Sequence, residues 1–228
     1  RCDVMVDTGM NRLGISVDEA LSGVLDGLDI DVLMSHLACA DDDVPMNAAQ
    51  LAAFSALKAR VGARRYSLAN SAGVALGRDY AFDLTRPGLA LYGGMPRAEL
   101  RAIHQVVTPE AQVLQRRLVR AGATVGYNAT YQTTADTDVA IINIGYADGY
   151  FRGFSGAGDA LWGDVILPVL GRVSMDLVVI GVGAATDLAE GDWVSLDYAL
   201  PAAAALSGMS QYELLTGLGT RFDRWWFD

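Results

Sequence analysis

One tyrosine stands where proton-transfer chemistry would need a side chain. It lies in the glycine turn Gly145-Tyr146-Ala147-Asp148-Gly149-Tyr150, directly after the apolar, strand-like run Val139 to Ile144. A phenol presented at the end of a rigid element can give or take a proton. Taken alone the pattern more often marks a packed loop residue, because glycines mark turns wherever φ must be positive. Lysine chemistry is almost absent: the chain has sixteen arginines and a single lysine, Lys58. That lysine falls in a helical pattern from Met46 to Arg60 whose apolar face is Leu51, Phe54 and Leu57, so it points to solvent. Any reaction that needs a buried lysine must find it outside this chain. The acidic triplet Asp41-Asp42-Asp43 precedes Pro45 and the start of that helix, where acids complement the helix dipole, and it is not read as a metal site.

The elements that position these residues follow two patterns. Over roughly the first hundred residues, strand and helix alternate. Asp3 to Val6 reads as a strand ending at Asp7-Thr8-Gly9. Ser16-Val17-Asp18-Glu19 has capping-box spacing and opens a helix carrying Val17, Leu21, Val24, Leu25 and Leu28. The unit repeats as Ile30 to Leu37 with the helix from Met46, then as Arg65 to Leu68 with a short helix near Asn70 to Leu76. A fourth strand is expected near Ala81 to Leu84, ending at Arg86-Pro87-Gly88. Repeated βα units imply a parallel sheet covered by helices, either doubly wound or part of a (β/α)₈ barrel. Three of the units carry polar residues just after the strand, where such folds keep their active sites. From about Arg101 the pattern changes to short β-rich runs, with strands expected at Val139 to Ile144, Ile166 to Val169, Leu177 to Val182 and Trp193 to Leu196, and a closing helix from Gln211 to Leu218. The domains expected are 1–100, a barrel portion, and 101–228, an antiparallel β domain.

Composition excludes several classes of partner. The chain has 228 residues, 52% hydrophobic, and a net charge of −10 with no basic run interleaved with aromatics, so neither nucleic acid nor an anionic membrane is expected as a partner. The apolar stretches are short and interrupted and no secretory signal opens the chain, which reads as cytoplasmic. Cys2 and Cys39 sit in apolar surroundings and are expected as reduced thiols. The first residue, Arg1, leads almost directly into a strand, as in a piece of a longer protein.

Six collinear segments resemble one family. They are Val6-Asp7-Thr8-Gly9-Met10-Asn11-Arg12-Leu13-Gly14, Ser35-His36-Leu37-Ala38, Asn70-Ser71-Ala72, Arg86-Pro87-Gly88-Leu89-Ala90-Leu91-Tyr92-Gly93, the Tyr146 turn, and Gly171-Arg172-Val173-Ser174-Met175-Asp176. Together they are similar to alanine racemase from Asp3 to about Arg224. The resemblance implies the second half of a (β/α)₈ barrel followed by a C-terminal antiparallel β domain. It also implies a pyridoxal 5'-phosphate enzyme that interconverts L-alanine and D-alanine by two-base racemisation, as a homodimer with active sites at the subunit interface. Such an enzyme supplies D-alanine for peptidoglycan.

The resemblance assigns roles residue by residue. Tyr146 is the catalytic base. His36, Asn70, Ser71, Arg86, Gly88 and Leu89 bind the cofactor, with Ser71 and the amides of Gly88 and Leu89 at the phosphate and His36 bridging Arg86 to the catalytic tyrosine of the partner subunit. Arg86 meets the pyridine nitrogen, and a guanidinium, always protonated, keeps that nitrogen unprotonated. The ring then draws electrons less strongly, which favours return of a proton to Cα over transamination. Arg12 and Met175 contact the substrate carboxylate, Arg12 through its fork. His104 matches nothing, and no metal is implied.

Three departures stand out. Met5 occupies the place of a lysine that is carbamylated in many members, and Trp226 the place of a phosphate-binding tyrosine. The third concerns length: a whole barrel takes roughly 250 residues, and only about a hundred precede the β domain here. The family's Schiff-base lysine lies on the first strand of the barrel, so this chain is expected to be a C-terminal portion that is inactive alone. The alternatives are a broad-specificity amino-acid racemase of the same fold and a non-catalytic dimerising fragment.

Overall fold

A computed structural model describes residues 1–227. The chain divides into two compact units, Arg1–Leu91 with Met95–His104 and Tyr92–Gly94 with the chain from Gln105. Each has its own apolar core.

The first unit is built on a parallel sheet. Strands β1 (Cys2–Asp7), β2 (Ile15–Ser16), β3 (Ile30–Met34) and β4 (Arg65–Ser67) lie in the order β2-β1-β3-β4, all parallel. Helices α1 (Val17–Leu21), α2 (Pro45–Lys58) and α3 (Ser71–Ala75) follow strands, as βα units require. This is the second half of a (β/α)₈ barrel. The core joins Val6, Leu33 and Leu37 to Phe54 and Leu57 of α2, all buried, so the expected apolar face of that helix is the one that packs. Lys58 is exposed, with its Nζ 5.2 Å from the Tyr66 ring centre.

Two expectations are corrected. The first helix stops at Leu21 although its apolar spacing runs on to Leu28, and Val24 and Leu28 are exposed. The Ser22 hydroxyl bonds back to the Glu19 carbonyl at 2.8 Å, and Gly23 turns the chain at φ +92°. The strand expected at Ala81 to Leu84 is absent: Arg78–Tyr80 forms a 3₁₀ turn and Phe82 has φ 51°. The parallel pairing comes later, as a single bridge between Asn70 and Arg86. Proximity to Arg86-Pro87 shortens the strand to that bridge, since proline cannot continue a ladder.

The second unit is an antiparallel sheet of β5 (Glu110–Val119), β8 (Thr137–Ile142), β9 (Asp159–Trp162), β10 (Val165–Pro168), β11 (Val178–Gly181) and β12 (Trp193–Leu196). A hairpin of β6 (Thr124–Val125) and β7 (Tyr131–Gln132) stands apart. The strand order β10-β9-β12-β5-β8-β11 brings its two ends together through an antiparallel bridge between Val169 and Ile180. Helices α4 (Leu200–Ser207) and α5 (Gln211–Gly217) follow, the latter opened by a capping box of Ser210 and Glu213. All four strands expected in this unit are present within two residues of their expected limits. The longest, β5, went unread because its outer half, Gln-Arg-Arg, breaks the alternation where the register slips between Val113 and Gln115.

Candidate functional site

In the first unit the chemistry collects at the C-terminal ends of the strands. Arg86 crosses this end half-buried, with Nη1 donating to Ser67 Oγ and Nη2 to the Ser35 carbonyl, each at 2.5 Å. Ser67 Oγ in turn donates to the Leu84 carbonyl at 2.7 Å. Burial pushes the Arg86 guanidinium below its ordinary value, yet a guanidinium stays protonated in a protein. Two of five donors are engaged in these bonds, which fixes the fork and leaves the others to meet an acceptor such as a ring nitrogen.

Beside it, Asn70 caps α3, its Oδ1 accepting the Gly73 N–H at 2.8 Å. Ser71 is thereby the first helical residue rather than the cap. Its Oγ accepts the N–H groups of Gly88 and Ala90 at 3.0 and 3.1 Å. Its hydroxyl keeps one hydrogen to donate, the capacity that a phosphate oxygen calls on. Gly88 therefore acts on Ser71 in this structure, and Leu89 is buried at the start of a 3₁₀ turn.

The first strand delivers Arg12 through an acidic turn. Asp7 Oδ1 accepts the Gly9 N–H at 2.8 Å and Oδ2 the Arg12 N–H at 2.9 Å. These backbone donors, Gly9 first and Asn11 next, hold the Asp7 carboxyl below its ordinary value. Arg12 itself is exposed, and among the described residues no carboxylate is paired with its guanidinium. Arg12 and His36 line one cleft together with Asp7 and Ser35, and Met5 forms part of its wall. Burial, then the positive charges of Arg86 and Arg12, push the His36 imidazole below 6.5, so it is neutral at pH 7.

A residue the sequence did not single out holds this cleft together. Gln50 on α2 is buried; its Oε1 accepts the Ala38 N–H at 2.9 Å, and its Nε2 donates to the His36 carbonyl at 3.0 Å and to Thr8 Oγ1 at 3.3 Å. Thr8 Oγ1 lies 2.7 Å from Ser35 Oγ. A buried polar side chain within a helix's apolar face was the available signal.

In the second unit the Tyr146 turn is clamped to the turn carrying Met175. The Tyr146 N–H donates to the Ser174 carbonyl and the Ala147 N–H to the Met175 carbonyl, each at 3.0 Å. Tyr146 is half-buried at the start of a 3₁₀ turn, and Met175 is exposed. Asp148, buried, accepts the Gly145 N–H at 2.9 Å and pairs with Arg221, whose Nη1 also meets Asp176 at 2.7 Å. Arg221 therefore joins the tail of the chain to both turns. Tyr150, in the same glycine turn, is a different case: its hydroxyl is buried without a partner among the described residues, and burial pushes its phenol far up. It stacks on Phe154 at 4.4 Å and belongs to the core. Trp226 is almost fully exposed.

The donor set fits a phosphorylated pyridine ring: a fixed guanidinium at one point and a hydroxyl with a hydrogen to donate at another. Among the described residues there is no group of three or more His, Cys, Asp or Glu that could hold a metal ion, and no helix is long and apolar enough to cross a membrane. Both cysteines are free thiols.

Comparison with known proteins gives a consistent result. The domain described as alanine racemase, N-terminal domain, matches residues 1–96, and alanine racemase, C-terminal domain, matches residues 106–226. An alanine racemase of Acidiphilium cryptum is 42% identical over 229 residues, covering 96% of this chain and 64% of the relative. A catabolic alanine racemase of Agrobacterium fabrum is also 42% identical, with 97% and 60% covered. The crystal structure of alanine racemase from Bartonella henselae, with covalently bound pyridoxal phosphate, superposes with a TM-score of 0.88 at 36% identity, covering 99% of this chain and 66% of that one. The chain thus spans about 64% of the length of the curated relatives it matches.

Proposed function

This chain belongs to the alanine racemase family, and from that premise we propose that the protein it comes from is an isomerase interconverting L-alanine and D-alanine with pyridoxal 5'-phosphate. The observation that carries this reading is the collinear match of both family domains along one chain. Bound pyridoxal phosphate supplies an electron-withdrawing ring that acidifies the α-proton of the amino acid. Arg86 would hold the ring nitrogen without protonating it and Ser71 would donate to the phosphate, with Asn70, Gly88 and Leu89 fixing the segments around them. Arg12 and the backbone at Met175 would hold the substrate carboxylate.

Tyr146 is assigned the proton on one face. The Cα–H bond of L-alanine breaks, its proton passes to the Tyr146 oxygen, and a second group on the opposite face returns a proton to give D-alanine. That second group is a lysine outside this chain. Lys58 does not fill the role, because it is exposed on α2 and lies against the rings of Tyr66 and Phe82. The 228-residue chain alone is accordingly inactive. The complete enzyme works as a cytoplasmic homodimer in which Tyr146 of the partner subunit enters the cofactor site beside His36, and its product serves peptidoglycan synthesis. The full-length protein, assayed for D-alanine formed from L-alanine with and without pyridoxal phosphate, tests the proposal. Cofactor-dependent conversion is expected; no conversion by the cofactor-loaded protein would overturn it.

A further inference from the structure

The Tyr146 ring has a neighbour that none of the assigned roles uses. The guanidinium of Arg152 lies over its face, with Cζ 4.9 Å from the ring centre. A guanidinium in this position is attracted by the electron-rich face of an aromatic ring. We propose that Arg152 is a positioning residue for the proton transfer, holding the plane of the Tyr146 ring and with it the phenol oxygen that takes the substrate proton. The inference rests on the reading of Tyr146 as the base that acts on L-alanine.

Arg152 can do this because its backbone is fixed while its side chain is exposed. It opens a 3₁₀ turn, Arg152–Phe154, whose three residues are held in different ways. Phe154 is fully buried in the core beneath Tyr150. Gly153 lies so close to α4 that a Cβ there would stand 2.1 Å from the Ser207 carbonyl oxygen. The Arg152 carbonyl accepts the Ser155 N–H at 3.0 Å, and Ser155 Oγ accepts the Val173 N–H at 3.1 Å, tying the turn to the segment that carries Ser174 and Met175. That segment receives the Tyr146 and Ala147 N–H groups. Arg152 and Tyr146 therefore approach each other from two turns anchored on the same strip of backbone. No carboxylate among the described residues forms an ion pair with Arg152, so its charge is directed at the ring.

The test uses the full-length holoenzyme and the rate at which each alanine enantiomer exchanges its α-proton with solvent deuterium. Arg152→Met keeps the length of the stem and removes the charge; Arg152→Lys restores a cation. Arg152→Met should slow exchange from L-alanine by about three- to thirtyfold, from the usual strength of a cation over an aromatic ring. Exchange from D-alanine should change much less, with an unchanged melting temperature, and Arg152→Lys should recover part of the loss. Equal slowing for both enantiomers, or no slowing while Tyr146→Phe abolishes exchange from L-alanine, would overturn the role of Arg152. Undiminished exchange of both enantiomers by Tyr146→Phe would instead overturn the assignment of Tyr146 as the base, and this inference with it.

Discussion

Gly145 and Met175 are in contact through backbone alone: a Cβ added to Gly145 would stand 2.3 Å from the Met175 carbonyl oxygen. That oxygen also accepts the Ala147 N–H, so the glycine lets the turn bearing Tyr146 close onto the turn bearing Met175. The two turns behave as one structural piece. Gly145→Ala must push them apart and should cost about 1–3 kcal/mol of stability, the usual penalty for forcing extra atoms into a packed site. In the complete enzyme it should lower kcat more than cofactor affinity. Thermal melts and steady-state kinetics check both, and a Gly145→Ala enzyme of wild-type kcat would contradict the coupling of the turns.

Arg221 secures the same piece electrostatically. It joins buried Asp148 under the Tyr146 turn to Asp176 beside Met175, and each carboxylate raises its guanidinium above the ordinary value, Asp176 through a hydrogen bond and Asp148 through its charge. The side chain is exposed, so screening discounts the pairs, and Arg221→Met should lower the melting temperature only slightly. The loss should shrink at high salt. Thermal melts of both proteins in low and high salt measure it.

The strand-end residues of the first unit predict a pH dependence at His36. Its imidazole is pushed below 6.5 by burial and by Arg86 and Arg12. The unfolded chain therefore binds the proton more readily than the folded one. The stability that neutral His36 contributes is complete above about pH 6.5 and is lost as pH falls through the lower folded value. With only two histidines in the chain, an NMR titration resolves them, and His36→Gln identifies the low-titrating one. A His36 that titrated above 6.5 would contradict the neutral imidazole.

Lys58 gives a test at the level of this chain. Its Nζ lies 5.2 Å and 5.4 Å from the ring centres of Tyr66 and Phe82, on a helix face away from the strand ends. With added pyridoxal phosphate the 228-residue chain should racemise nothing, and after borohydride reduction it should carry no more adduct at Lys58 than the same chain unfolded in denaturant. Peptide mass spectrometry reads the site. Stoichiometric labelling of Lys58 in the folded chain alone would contradict this account.

How much of this was legible beforehand depended on the physical signal each element leaves. Apolar spacing was enough for α2 and for β12, whose buried positions alternate or recur with their periods. It overran at α1, where Val24, Leu25 and Leu28 continue the helical spacing but the Ser22 back-bond and Gly23 end the helix. The isolated bridge between Asn70 and Arg86 replaced an expected strand because Pro87, directly after it, cannot continue a ladder. The turn at Tyr146 was legible from its glycines. Gln50, Arg152 and Arg221 were not, since each acts across a turn or between distant segments and has no local motif. The cap of α3 falls to Asn70, which leaves the Ser71 hydroxyl oxygen to accept the Gly88 and Ala90 N–H groups.

The most direct test of the central claim is the exchange of the α-proton with solvent deuterium by the full-length Tyr146→Phe holoenzyme. The substitution removes the hydroxyl and keeps the ring, so cofactor binding should survive. Loss of a general base typically costs on the order of 10²–10⁴-fold. Racemisation should collapse in both directions, whereas exchange should be lost far more for L-alanine than for D-alanine, whose proton leaves from the opposite face. Exchange of both enantiomers at wild-type rates would show that Tyr146 is not the base.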